Sequence, residues 1–434
     1  MRKTARLFLV LALALAALGA LSAQAKVRLV MWGGVPPEAG PQAVCDNFNK
    51  EFAAKGISVE YERFVNDDAG NMKLDTNLLS GGDIDLYMTY TPDFIKKRAS
   101  GNMALDLSKL MARDKFDLED GFGSMALGYL IDGKPYSLPT KIDQYGIVVN
   151  KDMFDAAGIS IPTSWTVDEF RAVAKRLTKG EGESKVYGMF FNSQQDVTYP
   201  MQYFVTQVLG GDPYYKAGGK ETNFTDPAIV RTYQAIADMM LVDKSAPSHV
   251  DSVTQKLTQE GMFLSGKSAM TIGSWIIRSV KNTTAYPHEF VTAFAPFPAP
   301  EARKDLFAQG GLGDHLCINP KSKNIEAAWA FAKWYATQGM LPVASGGRVP
   351  SYVKFDKKAI LDITLAGAEK LLDPATTKSV LIDSKPKYAI PSITTKLPEI
   401  RKVAIEEIEN ILLGAKGSAQ AMADAKKRAD AFLK

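Results

Sequence analysis

From Lys26 onward the chain alternates between short apolar runs with strand character and longer runs whose apolar residues recur every three or four positions. That alternation admits few architectures, because strand, helix and strand in succession close most readily into a parallel sheet with helices across its faces. KVRLVMW reads as the first strand, and the turn-rich GGVPPEAGP leads into a helix carrying Val44, Phe48 and Phe52. ISVEYERF alternates apolar and polar residues as a half-buried strand does, and DIDLYMTY follows it. The pattern restarts after the turn Asp132-Gly133-Lys134-Pro135 with YGIVVN as a buried strand. At Pro162-Thr163-Ser164-Trp165-Thr166 the spacing of Thr166 and Glu169 predicts a capping box, opening a helix with Phe170, Val173, Ala174 and Leu177 on its inner stripe. SAMTIGSW and GDHLCINP read as further strands, and VTAFAPFP as a linker between units. NIEAAWAFAKWYATQG and the two last amphipathic segments, with Ile400, Val403, Ala404, Ile408 and Ile411 and then Met422, Ala425, Ala429 and Phe432, read as helices. The fold class is therefore α/β, with at least two lobes.

With 434 residues the chain has room for two or three domains, and 46% hydrophobic residues exclude a disordered polymer. The first 25 residues stand apart: Arg2, Lys3 and Arg6 precede an unbroken apolar run from Leu7 to Leu21, and Ala23-Gln24-Ala25 closes the segment. This is the pattern of an export signal cleaved before Lys26, too short in its apolar part to span the roughly 20 residues of a membrane helix. No later stretch is apolar enough to span a bilayer, so the mature protein is expected in the periplasm or outside the cell. Without the signal, the formal charge of +4 falls nearly to zero with the signs interspersed, which gives no field to hold a nucleic acid. Export permits disulfides, and the two cysteines, Cys45 and Cys317, are read either as buried thiols or as a bridge.

Several motifs fail on context. GMFLSGKS (261–268) satisfies the P-loop pattern, but the phosphate cradle needs a strand before the loop and a helix after it, and here helix precedes strand. Gly121, Gly123 and Ala126 match a dinucleotide fingerprint behind the acidic DLED, where a strand is required. His249, His288 and His315 are scattered without ligand spacing, and there is no G-x-S-x-G elbow. No cofactor or metal is expected. Glycoside hydrolysis needs only two opposed carboxylates, so an exported glycoside-active enzyme stays open as an alternative.

The ordered set of a leading export signal, a strand ending in Trp32, GGDIDLYMTY, DGKPYSLPT, YGIVVNKDMFDAAGI, P-T-S-W-T-x-x-E-F, F-L-S-G-K-S-A-M-T-I-G-S-W, a late GGLG and EAAWAFAKW resembles the extracellular solute-binding proteins of bacterial ABC importers, in the carbohydrate-binding branch that includes maltose-binding proteins. The resemblance implies two α/β lobes, 26–143 with 298–347 and 144–297 with 348–434, joined by a hinge around an interlobe ligand cleft. It further implies a monomer that captures a sugar or short oligosaccharide and hands it to permease subunits; a polyamine or glycerol phosphate is the non-sugar alternative.

A sugar needs an aromatic ring for its C–H face and carboxylate, amide or guanidinium partners for its hydroxyls, since a buried unpaired donor or acceptor costs about 1–3 kcal/mol. Ligands of open α/β sheets sit beyond the carboxyl ends of the strands, where Trp32, Tyr90 and Trp275 fall. Trp275 also follows Gly273-Ser274, where family members commonly carry a ligand-facing Trp. Asp143 stands where the maltose-binding branch has an acidic ligand residue, with Gln144 at the hinge crossing. Gln194, Gln195 and Asp196 fall where family loops reach the cleft. Gly311, beside Gly310, would let a backbone amide approach the ligand, Asp314 would add a carboxylate, and Arg348 a bidentate donor.

Overall fold

The computed structural model describes residues 27–192, 197–210, 213–303, 305–308, 311–384, 387–388 and 396–434. The export-signal segment, Gln194, Gln195, Asp196 and Gly310 lie outside them. Eleven strands are assigned there: β1 (Val27–Gly33), β2 (Ile57–Arg63), β3 (Leu86–Thr89), β4 (Leu138–Asp143), β5 (Ile147–Asn150), β6 (Met270–Ile272), β7 (Thr292–Ala295), β8 (Phe307–Ala308), β9 (Gly311–Ile318), β10 (Val349–Pro350) and β11 (Lys387–Tyr388).

The first three strands make the parallel core that the alternation predicts. β2 and β3 flank β1 in parallel, and the helices Pro41–Glu51 and Asp68–Ser80 supply the crossovers. The six-stranded sheet runs β10-β4-β9-β3-β1-β2, so β9 enters from far along the chain and sits antiparallel between β3 and β4. All eight residues of β9 are buried, as a strand covered on both faces requires. Leu29, Phe48, Leu86, Leu316 and Trp329 belong to one core cluster around this sheet.

The second sheet is antiparallel, in the order β6-β5-β7. VTAFAPFP is thus a strand in its first half, not a linker: Thr292–Ala295 pairs with the whole of β5, burying Ala293, Phe294 and Ala295 completely. Its core gathers Phe170, Phe204, Tyr233, Ile400 and Met422 from well-separated segments. Thr166 and Glu169 form the reciprocal capping box, opening the helix Val167–Leu177 over that core. The chain passes between the sheets after Asp143, again between Ala295 and Gly311, and once more after Pro350, because β10 still pairs with β4. This is a two-lobed α/β fold.

Cys45 and Cys317 are free thiols in different core clusters. Burial pushes the first up to about 12 and the second to about 11, so both are inert as nucleophiles. GMFLSGKS runs from the helix Gln259–Leu264 through a turn into β6, the reverse of a phosphate cradle, and the Lys267 ammonium donates to the Glu183 carbonyl.

Candidate functional site

β4 ends at the passage between the sheets, and strand alternation decides what it offers there. Lys141, Asp143 and Tyr145 point the same way, into a cleft of about 660 Å³ also lined by Tyr90, Trp275, Asp314 and Arg348. Gln144, between them in sequence, is not among those residues: it lines a second cavity of about 370 Å³, whose wall Tyr145 shares, and donates to the Ser384 carbonyl at 2.5 Å. The expected cleft role of Gln144 is corrected by this placement.

Two of the predicted polar residues, Asp143 and Asp314, meet at a residue that the sequence reading did not single out, and a third, Arg348, joins through Asp314. Lys141 Nζ lies 2.5 Å from Asp143 Oδ1 and 3.3 Å from Asp314 Oδ1, and donates to the Tyr145 hydroxyl at 3.1 Å. Tyr145 in turn donates to Asp143 at 2.6 Å, and Arg348 Nε donates to Asp314 Oδ2 at 2.9 Å. Burial works against the charge on Lys141, yet Asp143 and Asp314 outweigh it and hold the ammonium well above its ordinary range. Burial likewise opposes the Asp314 carboxylate, and Lys141 and Arg348 outweigh it, so that carboxyl sits below the usual range. Asp314 adopts φ of +44°, a left-handed conformation rare for a residue with a side chain, and its carbonyl accepts from the Thr140 hydroxyl at 2.6 Å. Next to it His315 is clamped between Ser137 and the Leu312 carbonyl, and burial pushes its imidazole down to about 4.

Trp275 lines the cleft in edge-to-face contact with Tyr145, ring centres 5.5 Å apart and planes at 87°. It depends on Gly273, at φ of +100°: a Cβ there would lie 2.3 Å from the indole. Tyr90 also lines the cleft, its hydroxyl accepting from the Gly34 amide at 2.5 Å.

Two other expectations change. Trp32 is not among the cleft residues; it packs on the cluster of Phe64, Leu74 and Tyr87, with Lys73 Nζ 5.5 Å from its ring centre. On β1 it pairs with Tyr87 of β3, so the two rings share a sheet face covered by the helix Asp68–Ser80. Gly311 serves packing, since a Cβ at its φ of +134° would come 2.6 Å from the Tyr129 hydroxyl, which accepts from the Leu312 amide. Leu312, not Gly311, reaches the cleft wall. Gln194, Gln195 and Asp196 are outside the described residues. Lys141 and Tyr145, like Tyr203, Arg278 and Arg401 farther around the cleft, were missed. The period-two pattern of T-K-I-D-Q-Y marks Lys141 and Tyr145 as companions of Asp143 and could have found them.

Residues 35–340 match the family model for bacterial extracellular solute-binding proteins. The chain belongs to that family. A binding protein of Brucella abortus (strain 2308) is 25% identical over 410 residues, covering 90% of this chain and 89% of its own. Among solved structures, a sugar transporter from Rhizobium etli in an open conformation superposes with a TM-score of 0.71 at 21% identity, covering 93% of this chain and 99% of the other. An ABC substrate-binding protein from Listeria monocytogenes, in complex with cycloalternan, superposes at 0.72 and 20%, covering 94% and 99%. These likenesses place the solute-binding protein in the two-lobed periplasmic-binding fold. Among the described residues no helix is long and apolar enough to cross a membrane.

Proposed function

We propose that this solute-binding protein captures a sugar or short oligosaccharide in the cleft between its lobes and delivers it to the permease of an ABC importer, with residues 1–25 acting as the export signal that takes it to the periplasm or cell exterior. The observation that carries the reading is the pairing, on one wall, of an aromatic platform with a saturated polar network: Trp275 against Tyr145, beside Lys141, Asp143, Asp314 and Arg348. A ring face accepts the C–H surface of a sugar, and carboxylates held in place by cations accept its hydroxyl protons without having to be reoriented. Binding without reaction is favoured because Asp143 and Asp314 are both held by one ammonium, that of Lys141, whereas glycoside cleavage needs carboxylates free to act from opposite sides of the scissile bond. On this reading one lobe holds 27–143 with 311–350 and the other 144–308 with the residues after 350: Ala299 and Pro298, expected in the first lobe, bond to Trp165, Val167 and Gln207 of the second, and β10 pairs with β4 of the larger sheet.

A cleft shared by two lobes gives the ligand contacts in the closed state that the open state lacks, and that difference is what drives closure. Native mass spectrometry of the freshly purified mature chain is expected to reveal retained carbohydrate. Small-angle scattering is expected to give a smaller radius of gyration with that carbohydrate at saturation than without it. Superimposable curves at a saturation verified by calorimetry would overturn capture by closure, and release of cleaved product from oligosaccharides would restore the enzyme reading.

A further inference from the structure

The cleft is lined by four cationic side chains, Lys141, Arg278, Arg348 and Arg401, and by three carboxylates, Asp93, Asp143 and Asp314. Lys141 and Arg348 are taken up by Asp143 and Asp314. Arg278 is different. It sits near the start of the short helix Ile277–Lys281, reached from β6 through Gly273 and Trp275, and among the described residues no carboxylate pairs with it and no group accepts a hydrogen bond from it. Asp93 does not serve: it stands at the start of the helix Pro92–Ser100, and the cation that it senses is Lys96.

The surroundings of Arg278 sharpen the question. Desolvation and then the like charge of Arg348 hold its guanidinium below the ordinary arginine range, Arg63 adds to this, and Glu260 and Tyr286 pull the other way. Arg63 ends β2, and Arg348 precedes β10; both strands belong to the larger sheet, whereas Arg278 follows β6 of the smaller one. Arg63 is exposed and, like Arg278, has no acidic partner among the described residues. Among the cleft-lining cations Arg278 thus adds positive charge that no carboxylate of the cleft takes up, and drawing the walls together around it raises its electrostatic cost. A neutral sugar leaves that cost in place. An oxyanion between the walls reverses its sign, and guanidinium groups match carboxylate and phosphate oxygens in a planar, paired geometry.

We infer that the cleft takes an acidic carbohydrate, whose carboxylate or phosphate is received by Arg278, while Trp275 and the Lys141 network with Arg348 hold the sugar ring. The inference rests on the sugar-capture reading and adds the charge of the ligand to it. An acidic group then does two things at once: it selects the ligand against neutral sugars, and it removes the electrostatic barrier to closure.

The test compares digalacturonate, galactose 6-phosphate and maltose by titration calorimetry on the mature full-length chain and on Arg278→Gln, with inorganic phosphate as a separate probe by thermal shift. At least one acidic sugar is expected to bind the wild type about 10- to 100-fold more tightly than maltose, the range of a charge-assisted hydrogen bond. Arg278→Gln should erase that advantage, and Arg278→Lys should restore part of it. Which acidic sugar binds tells carboxylate from phosphate. Maltose binding as tightly as both acidic sugars, or an acidic preference untouched in a folded Arg278→Gln protein, overturns the inference and leaves sugar capture standing. If none of the three sugars binds but phosphate stabilises the wild type and not Arg278→Gln, the oxyanion site stands and the sugar reading falls; if none of the four probes binds, both fall.

Discussion

Gly273→Ala is the most economical probe of the aromatic platform, because it alters the support of Trp275 and not the ring itself. The added methyl would lie 2.3 Å from the indole carbons, against the roughly 3.5–4.0 Å at which carbon atoms rest, so the ring must withdraw by more than about 1 Å. At φ of +100° the alanine backbone is itself strained, at about 1–3 kcal/mol of stability. Complete loss of a buried aromatic contact with ligand costs about 2–4 kcal/mol, or roughly 30- to 1000-fold in affinity. A displaced ring keeps part of its contact, so Gly273→Ala should fall at the low end of that range and Trp275→Ala farther up it. Calorimetry with the carbohydrate identified by mass spectrometry measures both, with circular dichroism to verify folding. Because the two changes act on one contact, the double variant should bind no more weakly than Trp275→Ala alone. Wild-type affinity in a folded Gly273→Ala protein, or penalties that simply add, would refute the argument that Gly273 acts through Trp275.

Asp314, His315 and Lys267 each give a further expectation. Asp314→Asn removes the carboxylate shared by Lys141 and Arg348, so urea unfolding near neutral pH should show a loss of about 3–5 kcal/mol; less than about 1 kcal/mol would mean that the cations do not need it. Since the folded carboxyl lies below its ordinary value of 3.8, its stabilising effect is complete above that pH and fades as pH falls through the folded value, and the variant should lack this acid-side decline. His315 has the same sign for a different reason: the folded state keeps the imidazole neutral down to about 4, while the unfolded chain takes up its proton near 6.5. Stability should therefore be full above 6.5 and fall toward 4, and His315→Gln should flatten that slope in urea midpoints; an unchanged slope would assign it to other groups. Lys267→Ala should leave sugar affinity within a few-fold of wild type and the protein without ATP binding, and ATP binding abolished by this change would revive the nucleotide reading.

Much of the fold was legible because its signals are local. The Thr166–Glu169 capping box, the parallel start of the larger sheet and the inward faces of the last helices depend on residues a few positions apart. The insertion of β9 between β3 and β4 was not legible, since its partners lie more than 150 residues away and nothing in GLGDHLCI names them. The same limit governs the site. Asp143, Asp314 and Arg348 could each be nominated, but the meeting of Asp143 and Asp314 on Lys141, with Arg348 on Asp314, comes from segments far apart in the chain. Trp32 and Trp275 look alike as aromatic residues at strand ends; only the placement of the helix Asp68–Ser80 over one of them separates covered ring from cleft wall. VTAFAPFP misled because its two prolines end the strand and obscure the pairing of its first half with β5.

The parity of residues 141–145 also bears on how such a protein can diverge. Lys141 and Asp143 line the cleft two positions apart, and Tyr145, two further on, stands between the cleft and the cavity that Gln144 lines. Insertion or deletion of one residue here would disrupt the wall, bringing Gln144 to where the network stands and turning Asp143 toward the neighbouring cavity, whose wall Tyr145 already shares. New ligand preferences along this segment are thus reachable by exchange of side chains at fixed length, while changes of length are left to the surface loops, where no alternation has to be preserved.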